Sequence, residues 1–254
     1  MGNSEHVSAK AGFRSLPWDP GSWRLVQRQG SASELHAPWP PAHLRSRRIA
    51  ALCRVTGAAV VLGSTQDTLV RQPLGPKGVP GSGRVEVVRR KSGGGAVLVA
   101  PGSQLWVDLW VPRGDPLWSD DVVAAAYWVG ELFESALGLL GVGGASVHRA
   151  PLVRNDWSHL ACFGALGPGE VAVHGRKAVG VAQRRDRFGA WFHCMAHARW
   201  DPGRLLSLLD LDHAERQRGQ AALVEAAVGL VDLTGRDDRG SVELAEAAVE
   251  ALLA

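Results

Sequence analysis

Arg89-Arg90-Lys91-Ser92-Gly93-Gly94-Gly95-Ala96-Val97 lies between two apolar runs, 85–88 and 96–100. Two arginines enter a triple-glycine turn, and a strand is expected to leave it. Glycine reaches backbone angles closed to other residues, so successive N–H groups can converge on one point. With guanidinium groups beside it, such a loop suits a phosphate or a carboxylate. A Gly-rich hairpin with a basic rim is the other reading of the same residues. The G-x-x-x-x-G-K-[ST] spacing is absent and no helical pattern follows, so the loop is not a P-loop.

Outward from this loop the chain reads as strands first and helices last. On the N-terminal side, Trp23-Arg24-Leu25-Val26 begins a strand. Residues 33–48, with Pro38, Pro40, Pro41 and the basic cluster Arg45, Arg47 and Arg48, read as loop and short helix. That cluster is a solvated face or a contact for an acidic partner. Residues 58–63 read as a buried strand, followed by the helix-cap signal Ser64-Thr65-Gln66-Asp67, and 72–84 as a Gly- and Pro-rich loop. On the C-terminal side, 105–111 reads as a strand with Trp106 and Trp110 on one face. Ser119-Asp120-Asp121 caps an apolar helix over 122–140, which the glycines of 141–144 end. Short strands are expected at 146–149 and 160–165. A strand at 170–173, the tight turn His174-Gly175-Arg176 and a strand at 178–182 form a hairpin, with another strand at 189–198. Helices follow at 202–211, 221–233 and 242–253. The pattern predicts an α+β fold, a mixed and largely antiparallel sheet flanked by helices with a helical C-terminal end. Residues 1–21 are expected to be poorly ordered, 22–211 to form the main domain, and 212–254 to pack on it as helices.

The 254 residues suffice for a sizeable core. No apolar run approaches a membrane span, and the first thirty residues hold no apolar signal core. Cys53, Cys162 and Cys194 form an odd set without metal-ligand spacing, which fits free thiols in a reducing, cytoplasmic setting. The net charge of +3 permits an acidic partner without requiring one, and no nucleic-acid motif or metal site is read. Only four lysines are present, Lys10, Lys77, Lys91 and Lys177. Lys177 leaves a turn and enters a strand whose small residues Ala178, Gly180 and Ala182 let a ligand lie close to the backbone. A cation there can bridge anionic oxygens during group transfer; a surface lysine in a hairpin is the alternative. Cys162, in Ala161-Cys162-Phe163-Gly164, is a buried inert thiol by default and a nucleophile if a cation lies near. His148, His174, His193 and His197 are all possible bases, and spacing singles out none of them.

Two stretches together resemble one family. The loop 89–97 resembles the R-R-x-S-G-G-G-A-V signature of the lipoate–protein ligases, within the biotin/lipoate ligase superfamily. Gly175-Arg176-Lys177-Ala178-Val179-Gly180-Val181-Ala182-Gln183 is similar to that family's later G-R-K-x-x-G-x-A-Q motif, in the same order. Leu62-Gly63-Ser64-Thr65-Gln66 resembles an early superfamily signal. The resemblance implies an enzyme that uses ATP, with Mg²⁺, to turn lipoate or octanoate into an acyl-adenylate. The acyl group then passes to a lysine of a lipoyl acceptor domain, in a dehydrogenase complex or a glycine-cleavage carrier protein. It implies Lys177 as the catalytic lysine. Arg89, Arg90, Ser92, Gly93, Gly94, Gly95, Ala96, Gly180 and Ala182 become the substrate and adenylate contacts, and Val97 and Val99 the acyl tunnel. On this reading Cys162→Ala is tolerated.

An octanoyltransferase branch is the second implication. Its members use no ATP and take octanoate from acyl carrier protein onto a cysteine in an A-C-F segment, which Ala161-Cys162-Phe163 matches. The triple glycine favours the ligase, and the A-C-F segment favours the transferase. The histidine–aspartate pair usual after the glycine motif is missing, where Leu98-Val99-Ala100-Pro101-Gly102 stands, and Val181 stands for a small serine. Those departures motivate a third reading, a non-catalytic acyl- or nucleotide-binding relative. Biotin ligase ranks lower, because no G-R-G-R-x-G-R run is present.

Overall fold

The computed structural model describes residues 22–67, 70 and 85–254; the expected disorder of 1–21 and the loop 72–84 lie outside them. The chain runs β1 (Arg24–Gly30), α1 (Ala32–His36), β2 (Ile49–Val55), β3 (Ala59–Leu62), β4 (Glu86–Arg89), β5 (Val97–Val99) and β6 (Gln104–Pro112). It continues with α2 (Tyr127–Leu139), β7 (Ala145–Val147), β8 (Val153–Arg154), β9 (Ala165–Leu166), β10 (Val171–Val173), β11 (Arg176–Arg185) and β12 (Gly189–His197). Four helices follow: α3 (Pro202–Leu206), α4 (His213–Leu223), α5 (Leu230–Thr234) and α6 (Asp238–Leu253).

A seven-stranded sheet has the order β1-β2-β6-β12-β11-β10-β7. Only β1 and β2 run parallel within it, so the sheet is mixed and largely antiparallel, as the sequence predicts. Alternation along β6 sets the layers. Leu105, Val107, Leu109 and Val111 face a core completed by Trp128, Leu132 and Phe133 of α2 and Val242, Ala245 and Val249 of α6. Trp106, Asp108 and Trp110 face the other way. There a three-stranded sheet, β4-β3-β5, packs with α1 across Ala51, Cys53, Val61, Val97 and Val99. Leucines 205, 206, 208, 209 and 223, from α3 to α4, cover its far side. Each large side chain buried in these layers contributes about 1.5–3 kcal/mol.

Several local expectations are corrected. β2 was not foreseen: it is buried on both faces, so it shows no polar alternation. Residues 160–165 form no long strand. Ala161 makes a single bridge to Ala96, and Cys162–Gly164 curls into a 3₁₀ turn. Ser64-Thr65-Gln66-Asp67 is a turn in which the Gln66 side chain accepts from Gly63 N, and no helix follows among the described residues. The helix expected over 122–140 begins at Tyr127, after a 3₁₀ turn whose amides at Val123 and Ala124 donate to Asp121. The helix expected over 202–211 ends at Leu206. The helix expected over 221–233 is broken because 226–228 runs extended beside the start of β11, trading helical bonds for strand-like ones.

Candidate functional site

The glycine loop joins β4 to β5 and lies against residues 160–162. Gly94 has φ +96°, a left-handed conformation that side chains resist. A Cβ on Gly95 would lie 2.7 Å from the Ala161 carbonyl carbon, so glycine there lets 160–162 lie against the loop. Two backbone bonds fix that contact, Ala96 N to Leu160 O (2.8 Å) and Cys162 N to Ala96 O (3.0 Å). Both arginines turn donors on nearby backbone carbonyls. Arg89 Nη1 donates to the carbonyls of Gly63 (2.9 Å) and Gln66 (2.7 Å). Arg90, buried, donates to the carbonyls of Val61, Gly93 and Gly95. Their charges brace the loop from behind.

Lys177 comes to the same place by a bulge. Val171 pairs with Val179 but Ala172 pairs with Lys177, so one residue of β11 is extra. Ala178 and Val179 then both enter the helix-side core. Lys177 and Gly180 share the opposite face, where a Cβ on Gly180 would lie 3.2 Å from Lys177 Cε. The hairpin turn the sequence places at His174-Gly175-Arg176 is shorter by one residue: His174 (φ 49°) and Gly175 (φ 80°) make it, and Arg176 already belongs to β11. Lys177 is 1% exposed. Its Nζ donates to Glu170 Oε1 (2.7 Å), Cys162 O (3.1 Å) and Ala165 O (3.1 Å), so all three ammonium donors are engaged. The cation also lies 4.8 Å from the centre of the Phe163 ring. Glu170 in turn accepts from Gly167 N and Val181 N. The extended 226–228 segment holds the lysine's backbone, with Lys177 N donating to Ala226 O and Val228 N to Lys177 O.

Cys162 is half-buried, where Cys53 and Cys194 are buried. Burial pushes the thiols of Cys53 and Cys194 well above the usual range, which makes them inert. Cys162 lies where two cavities meet. One is a small pocket of apolar surface, about 70 Å³, lined by Val97, Val99, Trp106, Phe163, Gly180 and Met195 among others. The second is an open cleft of about 750 Å³ that Gly93, Gly94, Gly95, Lys177, Glu170 and Gln183 help to line. Cys162, Val181 and Ala182 belong to both. At the cleft, Ser92 Oγ and both amide atoms of Gln183 are buried without a hydrogen-bond partner among the described residues. Such orphans are costly, and a bound ligand satisfies them.

A charged network supports the deep end of the pocket. Asp108 is fully buried and accepts from Trp106 Nε1 (2.8 Å), Arg28 Nη1 (2.9 Å) and His193 Nδ1 (2.8 Å). Burial alone would raise its carboxyl, but His193 and Arg28 outweigh burial and hold it below the usual range. His36 rests on Trp106, and burial, with the nearby His193, lowers it to about 3. Behind Cys162, His197 packs on Phe163; burial, then the Lys177 charge, lowers it to about 4. Both histidines resist protonation when folded and accept it near pH 6.5 when unfolded. Stability is therefore complete above pH 6.5 and falls as pH drops toward 4, each histidine adding up to about 1.4 kcal/mol per pH unit. Urea unfolding of His197→Asn between pH 7 and 5 is expected to show a shallower pH slope than the parent. An unchanged slope would refute that assignment.

The structure thus brings Cys162, Lys177, Gly180, Ala182 and the glycine run of the 89–97 loop to one place. Sequence reasoning missed Glu170, Asp108 and His36. Asp108 alone carried a signal, as a lone carboxylate inside an apolar strand that must find a partner when buried. No group of three or more metal-ligating side chains converges among the described residues, and no described helix is long and apolar enough to cross a membrane.

Known proteins resemble this chain to different depths. Among curated proteins, the chain is 28% identical over 158 residues to octanoyltransferase LipM of Exiguobacterium sp. (strain ATCC BAA-1283 / AT1b). That match covers 60% of this chain and 56% of the relative, so the chain spans little more than half of that protein's length. Among solved structures, it is similar to a chain from an archaeal lipoylation system of Thermoplasma acidophilum, a bi-partite lipoate protein ligase and its E2 lipoyl domain. The TM-score is 0.65 at 16% identity, covering 91% of this chain and 82% of that one. Lipoate-protein ligase A bound with ATP gives a TM-score of 0.61 at 18% identity, covering 92% and 84%. At such identities the structural likeness is one of fold. The model of the lipoyl protein ligase A/B catalytic domain matches residues 43–252, and the chain belongs to that family.

Proposed function

We propose that the protein is a cysteine-dependent acyltransferase of protein lipoylation, moving octanoate from a carrier thioester to a lysine of a lipoyl acceptor domain. One observation carries the reading: Cys162 is the half-buried thiol at the junction of the apolar pocket and the open cleft. The pocket takes the hydrocarbon chain and the cleft admits the two protein-borne substrates in turn. The Cys162 sulfur attacks the donor's carbonyl carbon, a new C–S bond forms, and the donor's C–S bond breaks. The departing carrier thiolate takes the proton given up by Cys162. The neutral amine of the acceptor lysine then attacks the Cys162 thioester. An amide forms, and the amine's proton returns to the Cys162 thiolate. Lys177 acts as a positioning cation. Through the carbonyls of Cys162 and Ala165 it fixes the turn that carries the thiol, and its charge favours the oxyanion of each addition step. The likeness to octanoyltransferase LipM, a relative of 28% identity, supports the same reading.

The ATP-dependent ligase is the second reading, favoured by the triple glycine and by the fold shared with lipoate-protein ligase A bound with ATP. Against it, Arg89 Nη1 and both terminal nitrogens of Arg90 are engaged with carbonyls, and all three Lys177 ammonium donors are taken. The test is the intact mass of a lipoyl acceptor domain after incubation with the protein. One sample holds octanoyl-acyl carrier protein without ATP; the other holds ATP, Mg²⁺ and free octanoate or lipoate. A gain of one octanoyl group in the first sample, with an octanoyl adduct on the Cys162 peptide, is the expected result. A gain in the second sample alone would replace this reading with the ligase.

A further inference from the structure

Past the bulge that places Lys177, β11 has a strand on one side only. β10 pairs with it no further than Val179, while β12 pairs from Gly180 to Arg185. Backbone groups alternate sides along an antiparallel strand. Two bonds fix the phase here. Val181 N points away from β12 and donates to Glu170 Oε1 (3.3 Å), whereas Asp186 N points toward it and donates to Gly189 O (3.0 Å). The N–H and C=O groups of Gln183 and Arg185, with the Val181 carbonyl, therefore face away from β12. Among the described residues nothing bonds to them. The same stretch walls the open cleft, since Val181, Ala182 and Gln183 line it together with Cys162 and the glycine run. Both amide atoms of the Gln183 side chain also lack a partner there. Leu152, 45% exposed, lines the same cleft. Unpaired peptide groups in strand spacing thus border the space beside the thiol.

We propose that the lysine-bearing segment of the acceptor domain binds here as an added strand, its backbone paired with Gln183 and Arg185. The inference rests on the acceptor half of the transferase reading, which the ligase reading shares. Reach picks the occupant. A lysine amine stands only about 6 Å from its own backbone, the span of five single bonds. The peptide that carries it has to run inside the cleft for the amine to meet the Cys162 thioester. The glycine loop has already turned its Gly93 and Gly95 carbonyls to Arg90, whereas β11 still offers both donors and acceptors. An extended peptide satisfies both kinds at once, and neighbouring side chains then supply specificity. Residues opposite one another in a pair project to the same face. Gly180 and Ala182 line the acyl pocket, so the residue opposite Ala182 aims its side chain at that pocket's mouth. In that register the lysine meets Cys162, and its neighbour lies opposite the outward N–H and C=O of Gln183. A slip of one residue turns the lysine to the helix side, where Val181 packs.

The test is amide hydrogen exchange of the full chain, read residue by residue by NMR, with an unmodified lipoyl acceptor domain titrated to saturation. Exchange at Gln183 and Arg185 is expected to slow at least about tenfold, while Ala182 and Arg184, already bonded to β12, change little. No slowing at Gln183 and Arg185 with millimolar acceptor overturns the proposal, and so does equal slowing at all of 181–185. Slowing by octanoyl-acyl carrier protein in place of the acceptor overturns it in favour of the donor. Protection in the free chain that rises with its own concentration overturns it in favour of a second copy. None of these outcomes requires Cys162 to react, so they judge the docking edge whatever becomes of the transferase reading. A second measurement uses Gln183→Pro, which removes one outward N–H and leaves the β12 bonds of Ala182 and Arg184. Discharge of octanoyl-Cys162 to the acceptor domain is expected to fall at least about tenfold more than discharge to hydroxylamine. An equal fall with both nucleophiles overturns the docking edge. Failure of the parent chain to form octanoyl-Cys162 sinks the transferase reading separately.

Discussion

Cys162→Ala is expected to lower octanoyl transfer from acyl carrier protein by at least about 10³-fold, because a covalent route without its nucleophile falls back on direct aminolysis. The substitution removes one sulfur from a half-buried site whose backbone bonds to Ala96 persist. Stability is expected to stay within about 1 kcal/mol of the parent, since little apolar volume is lost. Thermal unfolding would check that point beside the activity. Cys53→Ala and Cys194→Ala serve as controls: both remove a thiol, neither removes the one at the cavity junction. If Cys162→Ala kept full activity with ATP and free octanoate, the chemistry would run through an adenylate, and the tolerance expected of a ligase would be the correct reading.

Lys177→Met is expected to be costly in a different way. Glu170 is 7% exposed and Lys177 1%, so removing the ammonium strands a carboxylate in the interior. Breaking a buried pair from one side costs about 3–5 kcal/mol. Two carbonyls, those of Cys162 and Ala165, lose their donor as well. The double variant Lys177→Met with Glu170→Leu removes both charges and should recover the part of that stability lost to the stranded carboxylate, since hydrophobic replacements of whole buried pairs are often near neutral, while the carbonyls of Cys162 and Ala165 and the amides of Gly167 and Val181 stay unpaired. It should recover none of the transfer activity, because the turn carrying Cys162 would no longer be held by a cation. Urea unfolding of the single and double variants, paired with acylation of Cys162 from a thioester, separates the two effects. Recovery of activity together with stability would reduce Lys177 to a purely structural role.

The sheet was largely legible because β6, β11 and β12 alternate or run apolar between clear turns, and because His174 and Gly175 mark a tight hairpin. β2 escaped because a strand buried on both faces shows no period. The break in the helical pattern after α4 escaped for a related reason. Residues 226–228 are apolar enough for a helix, and only their pairing with Lys177 shows why they stay extended. The site was half legible. Glycines and a lysine in order marked the place, and the thiol fifteen residues before the lysine was visible. The direction in which the charges point was not. Arg89, Arg90 and Lys177 look like ligand contacts in a string of letters, yet each turns its donors on a neighbouring carbonyl or on Glu170. Glu170 is seven residues from Lys177, and nothing in its residue type or spacing distinguishes it. The bulge that brings Lys177 to its face exists only once β10 and β11 have paired.

The extended segment 226–228 also determines where this chain can be divided. It occupies the flank of β11 that β12 leaves open beside Lys177, since β12 pairs with β11 only from Gly180 onward. A polypeptide severed between α3 and α4 would carry the glycine loop, the thiol and the lysine, and yet expose a raw strand edge at its most sensitive point. Open edges recruit other strands. A two-chain version of this architecture is therefore constrained at that seam: the second chain must return as the missing border of the sheet, or the first will seek one in a copy of itself.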